Sequence, residues 1–229
     1  MFKKYVALAS TAMLLSASAG AQVGLGVTAD VGTTGVGAHL VVPMETNLNG
    51  RFGINYVKHD FDSTAHAVHY DVKGKLQTID LLFDWYLREG SDMRVTAGVL
   101  YNANRLSADA RPDASGNIAL NGHAWPASII GKVIGNVDYR KAAPYIGIGW
   151  GNALKPAKGG KTGWNYGFDA GVYYQGNANV HLASADCRSI ALVCSLVASD
   201  VAAEAERLKK HLDDFKVYPV LRASVGYSF

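Results

Sequence analysis

Apolar and polar positions alternate along most of this chain. In RVTAGVLYNAN (94–104), Val95, Ala97, Val99, Tyr101 and Ala103 share one face, while Arg94, Thr96, Gly98, Asn102 and Asn104 share the other. In WNYGFDAGVYYQ (164–175), the apolar set Trp164 to Tyr174 opposes Asn165, Gly167, Asp169, Gly171 and Gln175. Period two is the signature of a strand with two unlike faces. The same split runs through 23–30, 35–42, 51–56, 78–87, 144–153 and 217–229, which makes eight predicted strands. An even count returns both chain ends to one side of a closed sheet.

Connector lengths alternate as well. The links 45–50, 88–92 and 155–162 are short, those around 61–70, 108–132 and 184–214 are long, and only the link near 31–34 breaks the order. Short turns on one side and long loops on the other are what a barrel in the bacterial outer membrane shows, because backbone in lipid has to be paired and closure alone removes the sheet edges. A soluble eight-stranded barrel would turn its apolar residues inward instead. Aromatic placement favours the membrane reading: Trp85, Tyr86, Trp150, Trp164, Tyr166, Tyr218, Tyr227 and Phe229 gather near predicted strand ends, as interfacial girdles do.

The two termini add separate signals. MFKK is a basic start, the following stretch is apolar or small, and Ala19-Gly20-Ala21 fits a signal-peptidase site, so residues 1–21 are expected to be a cleaved leader and 22–229 the barrel. A retained anchor is the competing reading, but the apolar stretch is too short and dilute for a spanning helix. After cleavage 20 basic residues face 19 acidic ones, a balance that predicts no nucleic-acid partner. With 25 Gly, 12 Tyr and only 6 Pro, the composition fits strands joined by turns.

The last residues alternate through Leu221, Ala223, Val225, Tyr227 and Phe229. A terminal Phe preceded in this way resembles the C-terminal sorting signal of outer-membrane proteins, with Tyr227 and Phe229 as its aromatic positions. Together with the leader and eight strands, the chain resembles the small outer-membrane β-barrels of Gram-negative bacteria, the size class of the OmpA transmembrane domain and OmpW. The stretches GTTGVGAHL, APYIGIGWGNA and DDFKVYPVL look like an uncharacterised outer-membrane barrel family. The resemblance implies an all-β, eight-stranded antiparallel transmembrane barrel. It also implies an outer-membrane location, the barrel assembly machinery as a folding partner, and outer-membrane lipid with lipopolysaccharide as surroundings. It brings no cofactor and names no extracellular ligand.

If the apolar face meets lipid, the opposite set defines the interior. That set holds Asp80, Asp84 and Asp169 with Arg51, Arg94, Lys216 and Arg222, and His39 is a candidate to join it. A barrel of eight strands is just wide enough for side chains to fill, so these charges are expected to pair and plug the lumen. A narrow, porin-like solute path lined by the same groups is the alternative. A lipid-modifying hydrolase is a third possibility, for which Ser63 near His66 and Ser184 near His181 are the candidate nucleophile and base. Neither pair has a third group visible in sequence, so no enzyme is expected. The stretch 58–71 collects His59, Asp60, Asp62, His66, His69 and Asp71, but in no metal-ligand spacing, and it is expected to be a solvated external loop.

Residues 195–215 leave the strand pattern. Val197, Val201, Ala205, Leu208 and Leu212 recur every three to four positions, with Ser199 or Asp200 as a candidate cap and Glu204 beside Lys209 and Lys210. An amphipathic helix is expected in this late external loop, lying over the barrel mouth. Cys187 and Cys194 are expected to form a disulfide that tethers its approach, since an exported chain reaches a compartment where such bonds persist.

Overall fold

The alternating segments close into a ring. The computed structural model describes residues 24–65, 68–155, 162–185 and 187–229, with the backbone alone at 61–65 and 68–69. The expected leader lies outside these residues. The ring is made of β1 (Gly26–Gly32), β2 (Gly35–Glu45), β3 (Leu48–Ala65), β4 (Val68–Tyr86), β5 (Met93–Asn102), β10 (Ala142–Trp150), β11 (Gly163–Tyr174) and β13 (Val217–Ser228). Each is antiparallel to its neighbours, and β1 closes the ring by pairing with β13. Eight strands and all eight predicted positions agree with the alternation.

The long connectors hold more structure than loops. β3 and β4 stay paired in register from Leu48 opposite Trp85 to Ala65 opposite Val68, far beyond the ring. There β4 leaves β5 and pairs instead with β6 (Arg105–Arg111), which carries β9 (Lys132–Asp138) and β12 (Asn179–Ala185). Residues 58–65 and 68–71 are therefore a strand pair and not the solvated loop expected at 58–71 from its charges. The reason is visible on β4. Its inward positions stay apolar at Tyr70, Val72 and Leu76, while only the outward ones turn charged, at Asp71, Lys73 and Lys75.

This extension is capped on its inner face. β7 (Asn117–Leu120) and β8 (His123–Pro126) form a hairpin through Asn121-Gly122, both at positive φ, as a tight two-residue turn requires. A single helical turn, α1 (Ala127–Ile130), follows it. The long helix α2 (Ala191–Leu212) packs Val197 and Val201 against Tyr70, Ile118, Leu120, Ile130 and Val133. Buried side chains of this size contribute about 1.5–3 kcal/mol each relative to exposure. α2 starts four residues before the expected helix, at an Ile190 cap that makes no side-chain hydrogen bond. Neither Ser199 nor Asp200 caps it; Asp200 is buried in mid-helix.

Cys187 and Cys194 form a disulfide with Cα atoms 6.0 Å apart. Cys194 sits in the first turn of α2, so the bond ties that turn to the chain leaving β12.

Candidate functional site

The outer face of the ring is apolar and open. Ile54, Ile148 and Trp164 are about 60% exposed and Ile79 49%, and the belt they belong to runs round all eight strands. A monomer in water rarely shows a continuous apolar patch beyond a few hundred Å². Trp85, Trp150 and Trp164 lie at the turn end, where Trp164 and Tyr227 meet edge to face at 5.5 Å and Tyr227 meets Phe229 at 5.2 Å. Two aromatics assigned to this girdle point the other way: Tyr86 is buried inside the ring, and Tyr218 stacks on Tyr173 within it at 4.9 Å. Their even positions on β4 and β13 place them with the inward set.

Charged side chains fill the lumen in two layers. In the first, Arg51 of β3 donates to Asp84 at 3.0 Å and to both oxygens of Asp169 at 3.0 and 3.2 Å. Arg94 of β5 donates to Asp169 at 2.7 Å and to the Gly151 carbonyl, and Thr96 donates to Asp84 at 2.6 Å. In the second layer the His39 ring lies between Asp30, at 2.7 Å, and Asp80, at 3.1 Å. Arg222 of β13 donates to Asp80 at 2.9 Å and lies 3.1 Å from Asp30, while Asn55 donates to Asp80 and to Thr78.

Six of the seven charged residues expected inside are thus buried together: Arg51, Asp80, Asp84, Arg94, Asp169 and Arg222. Lys216 stands apart, exposed in the segment before β13, where its carbonyl accepts the Gln175 amide. His39 joins the network, and Asp30 is the member that sequence reading missed. Asp30 lies two positions after Thr28 on the polar face of β1, and that spacing was the available signal.

Apolar side chains fill the lumen beside the charges. Next to the ionic layers, Leu82, Leu100, Ala143, Tyr145, Tyr173 and Val220 form an apolar plug within the ring. Inward glycines make room for it. A Cβ at Gly53 would overlap the His39 ring, and one at Gly147 or Gly171 would come 2.5 Å from the Tyr145 hydroxyl. At the turn end a recess lined by Arg51, Asp84, Tyr86 and Arg94 leaves about 10 Å³, room for one water at most. Toward the extension, a recess of about 80 Å³ lined by Leu76, Leu106, Val137 and Tyr139 opens beside the split between β5 and β6.

Of the two hydrolase candidates, the Ser184–His181 pair does not assemble. Ser184 donates to the Ile130 carbonyl at 2.6 Å, and His181, three positions before it on β12, faces the opposite side of the sheet. His66 lies outside the described residues. Among the described residues no three His, Cys, Asp or Glu side chains converge as metal ligands would.

A second polar cluster fastens the cap. Asp200 of α2 accepts from Asn121 Nδ2 at 3.1 Å, from Trp125 Nε1 at 2.9 Å, and bonds His123 Nδ1 at 2.9 Å, while Glu204 accepts the Asn121 amide at 3.2 Å. Burial alone pushes the Asp200 carboxyl up, but these donors together hold it below the usual carboxylate range. Burial, with the nearby Glu204 charge, pushes the Tyr70 phenol up to about 12. Glu204 therefore faces the hairpin.

The architecture matches solved structures from Acinetobacter baumannii. CarO2 aligns at a TM-score of 0.58 with 21% identity, over 90% of this chain and 99% of that one. CarO aligns at 0.55 with 23% identity, over 89% and 97%. At this identity the likeness is one of fold. No protein-family model matches the chain, and no curated protein sequence does.

Proposed function

We propose that the chain is an integral outer-membrane β-barrel with a closed lumen, serving a structural or surface-interaction role through the capped extension. One observation carries the reading. Along the outward face of β4, Trp85, Phe83, Leu81 and Ile79 give way to Gln77, Lys75, Lys73 and Asp71, while the inward face continues without a break. A soluble sheet has no reason to expose the first four and then become charged. A sheet leaving a bilayer does. In this reading the short turns and both termini are periplasmic, residues 1–21 are removed on export, and Tyr227 with Phe229 is read by the assembly machinery. The extension, α2 and the disulfide lie outside the cell.

Refolding the mature chain into planar bilayers tests this. Protease protection of the ring with no stable channel openings is the expected result. A soluble, unprotected species refutes insertion, and steady single-channel conductance refutes the closed lumen in favour of a solute path.

A further inference from the structure

The rim of the apolar belt carries a charge arrangement that neither the lumen nor the cap uses. Register places Lys58 of β3 opposite Lys75 of β4, and Lys75 opposite Arg105 of β6. All three are exposed and face outward. They form one cross-strand row, spanning about 10 Å at ordinary strand spacing. The row lies one step above Tyr56 opposite Gln77 and two above Ile54 opposite Ile79.

Like charges directly opposite one another destabilise a sheet. The rows above meet this with opposite charges: Lys73 stands opposite Asp60, and where Asp71 stands opposite Asp109 each carboxylate has a cation from an adjoining row. Lys73 lies 3.9 Å from Asp109, and Arg111 donates to Asp71 at 2.7 Å. In the cationic row, among the described residues, no carboxylate comes within ion-pair distance of Lys58, Lys75 or Arg105. Lys75 lies over the Tyr56 ring at 5.8 Å. Asp138, next in the row, instead accepts from Asn179 at 3.3 Å and lies 4.0 Å from Lys141. Asp60 and Asp138 flank the row without pairing to it, so among the described residues no ion pair of the chain itself offsets the repulsion.

We propose that Lys58, Lys75 and Arg105 bind the phosphate groups of an anionic lipid headgroup in the outer leaflet, whose acyl chains lie on Ile54 and Ile79 below. The site rests on the membrane placement above. Its height decides the source of the phosphate: cations at the edge of an apolar belt meet the headgroup plane, where each Lys or Arg near an anionic surface favours binding. Tyr56, beneath Lys75, fits the same interfacial level.

The test uses the refolded mature barrel in phosphatidylcholine vesicles carrying either diphosphoryl lipid A or its dephosphorylated form. Native mass spectrometry then reads the lipid A retained on the released barrel. The wild type is expected to keep the diphosphoryl form selectively and to lose it with rising salt. The triple variant Lys58→Gln, Lys75→Gln, Arg105→Gln is expected to weaken retention by roughly 100-fold, and Lys132→Gln with Lys141→Gln to leave it unchanged. Equal retention of the two lipids, full retention by the triple variant, or complete displacement by millimolar inorganic phosphate would overturn the proposal. The triple variant keeps the apolar belt, so protease protection on the same vesicles separates this failure from failure of insertion. Should the triple variant not fold, Lys75→Gln alone decides. It is expected to be at least as heat-stable as wild type without lipid A, and to gain less from diphosphoryl lipid A; an unchanged gain refutes the site.

Discussion

Arg51 and Asp169 meet across the full width of the barrel through two hydrogen bonds of 3.0 and 3.2 Å. Three strands separate β3 from β11 in either direction round the ring, β4, β5 and β10 one way and β2, β1 and β13 the other. The Arg222–Asp80 pair, at 2.9 Å, crosses between β13 and β4 with the same separation. Two diametric ion pairs hold opposite walls together and occupy the path a solute would take.

Breaking one of them leaves a buried charge without its partner. Asp169→Asn removes the carboxylate shared by Arg51 and Arg94, and is expected to destabilise the folded barrel by about 3–5 kcal/mol. Urea titration of folded and unfolded bands on unheated gels measures it. The double variant Arg51→Met, Asp169→Leu is expected to cost clearly less than the sum of its single changes; additivity would show that the pair is not coupled.

The inward glycines are space for their neighbours. A Cβ at Gly171 would stand 2.5 Å from the Tyr145 hydroxyl and 2.6 Å from the Ile146 carbonyl. Gly171→Val is expected to cost on the order of 1–3 kcal/mol through overpacking. Adding Tyr145→Ala should recover only part of it, since the carbonyl remains in place. A heat-modifiability midpoint equal to wild type for Gly171→Val would contradict the packing described.

The cap should loosen in acid. Asp200 is held below the usual carboxylate range by its hydrogen bonds when α2 is docked. A depressed folded-state pKa contributes stability above the undocked pKa that is lost as pH falls through the docked one. Hydrogen exchange of 191–212 is therefore expected to rise below the ordinary carboxylate range near pH 4, while the ring strands stay protected. Asp200→Ala should raise exchange at neutral pH and flatten this acid response; a response of unchanged size would assign it to another group.

Reducing the disulfide should act locally. Cys187 and Cys194 are seven residues apart, and so small a closed loop limits the chain-entropy gain to about 2–3 kcal/mol. Dithiothreitol is expected to speed tryptic cleavage at Arg188 several-fold and to leave the heat-modifiability of the ring unchanged. Loss of the folded band on reduction would mean that the extension supports the barrel.

The termini make the last prediction. Intact mass of the membrane-extracted protein is expected to begin at Gln22, and deletion of Phe229 to reduce outer-membrane yield severalfold without changing synthesis. Phe229 is 63% exposed, and its amide donates to the Leu25 carbonyl at 2.8 Å. A yield equal to wild type would remove it from any sorting role.

Period two made the ring legible without coordinates: it determined eight strands with two unlike faces each and, once aromatic placement turned the apolar face outward, six of the seven charges assigned to the lumen. That information is local, because alternate side chains of any strand must point to opposite faces. Charge misled where the sheet continues past the belt, since a strand with one wet face at 68–76 reads like a loop when only its polar residues are weighed. Lys216 and Tyr218 show the same limit, for the strand boundary at Val217 decides which of them enters the lumen. The partners were beyond reach of pattern altogether. That Arg51 meets Asp169, that Asp200 is fastened to a hairpin some 80 positions earlier, and that Lys58, Lys75 and Arg105 share a row all depend on ring closure and strand register, which bring together residues that nothing in the linear order relates.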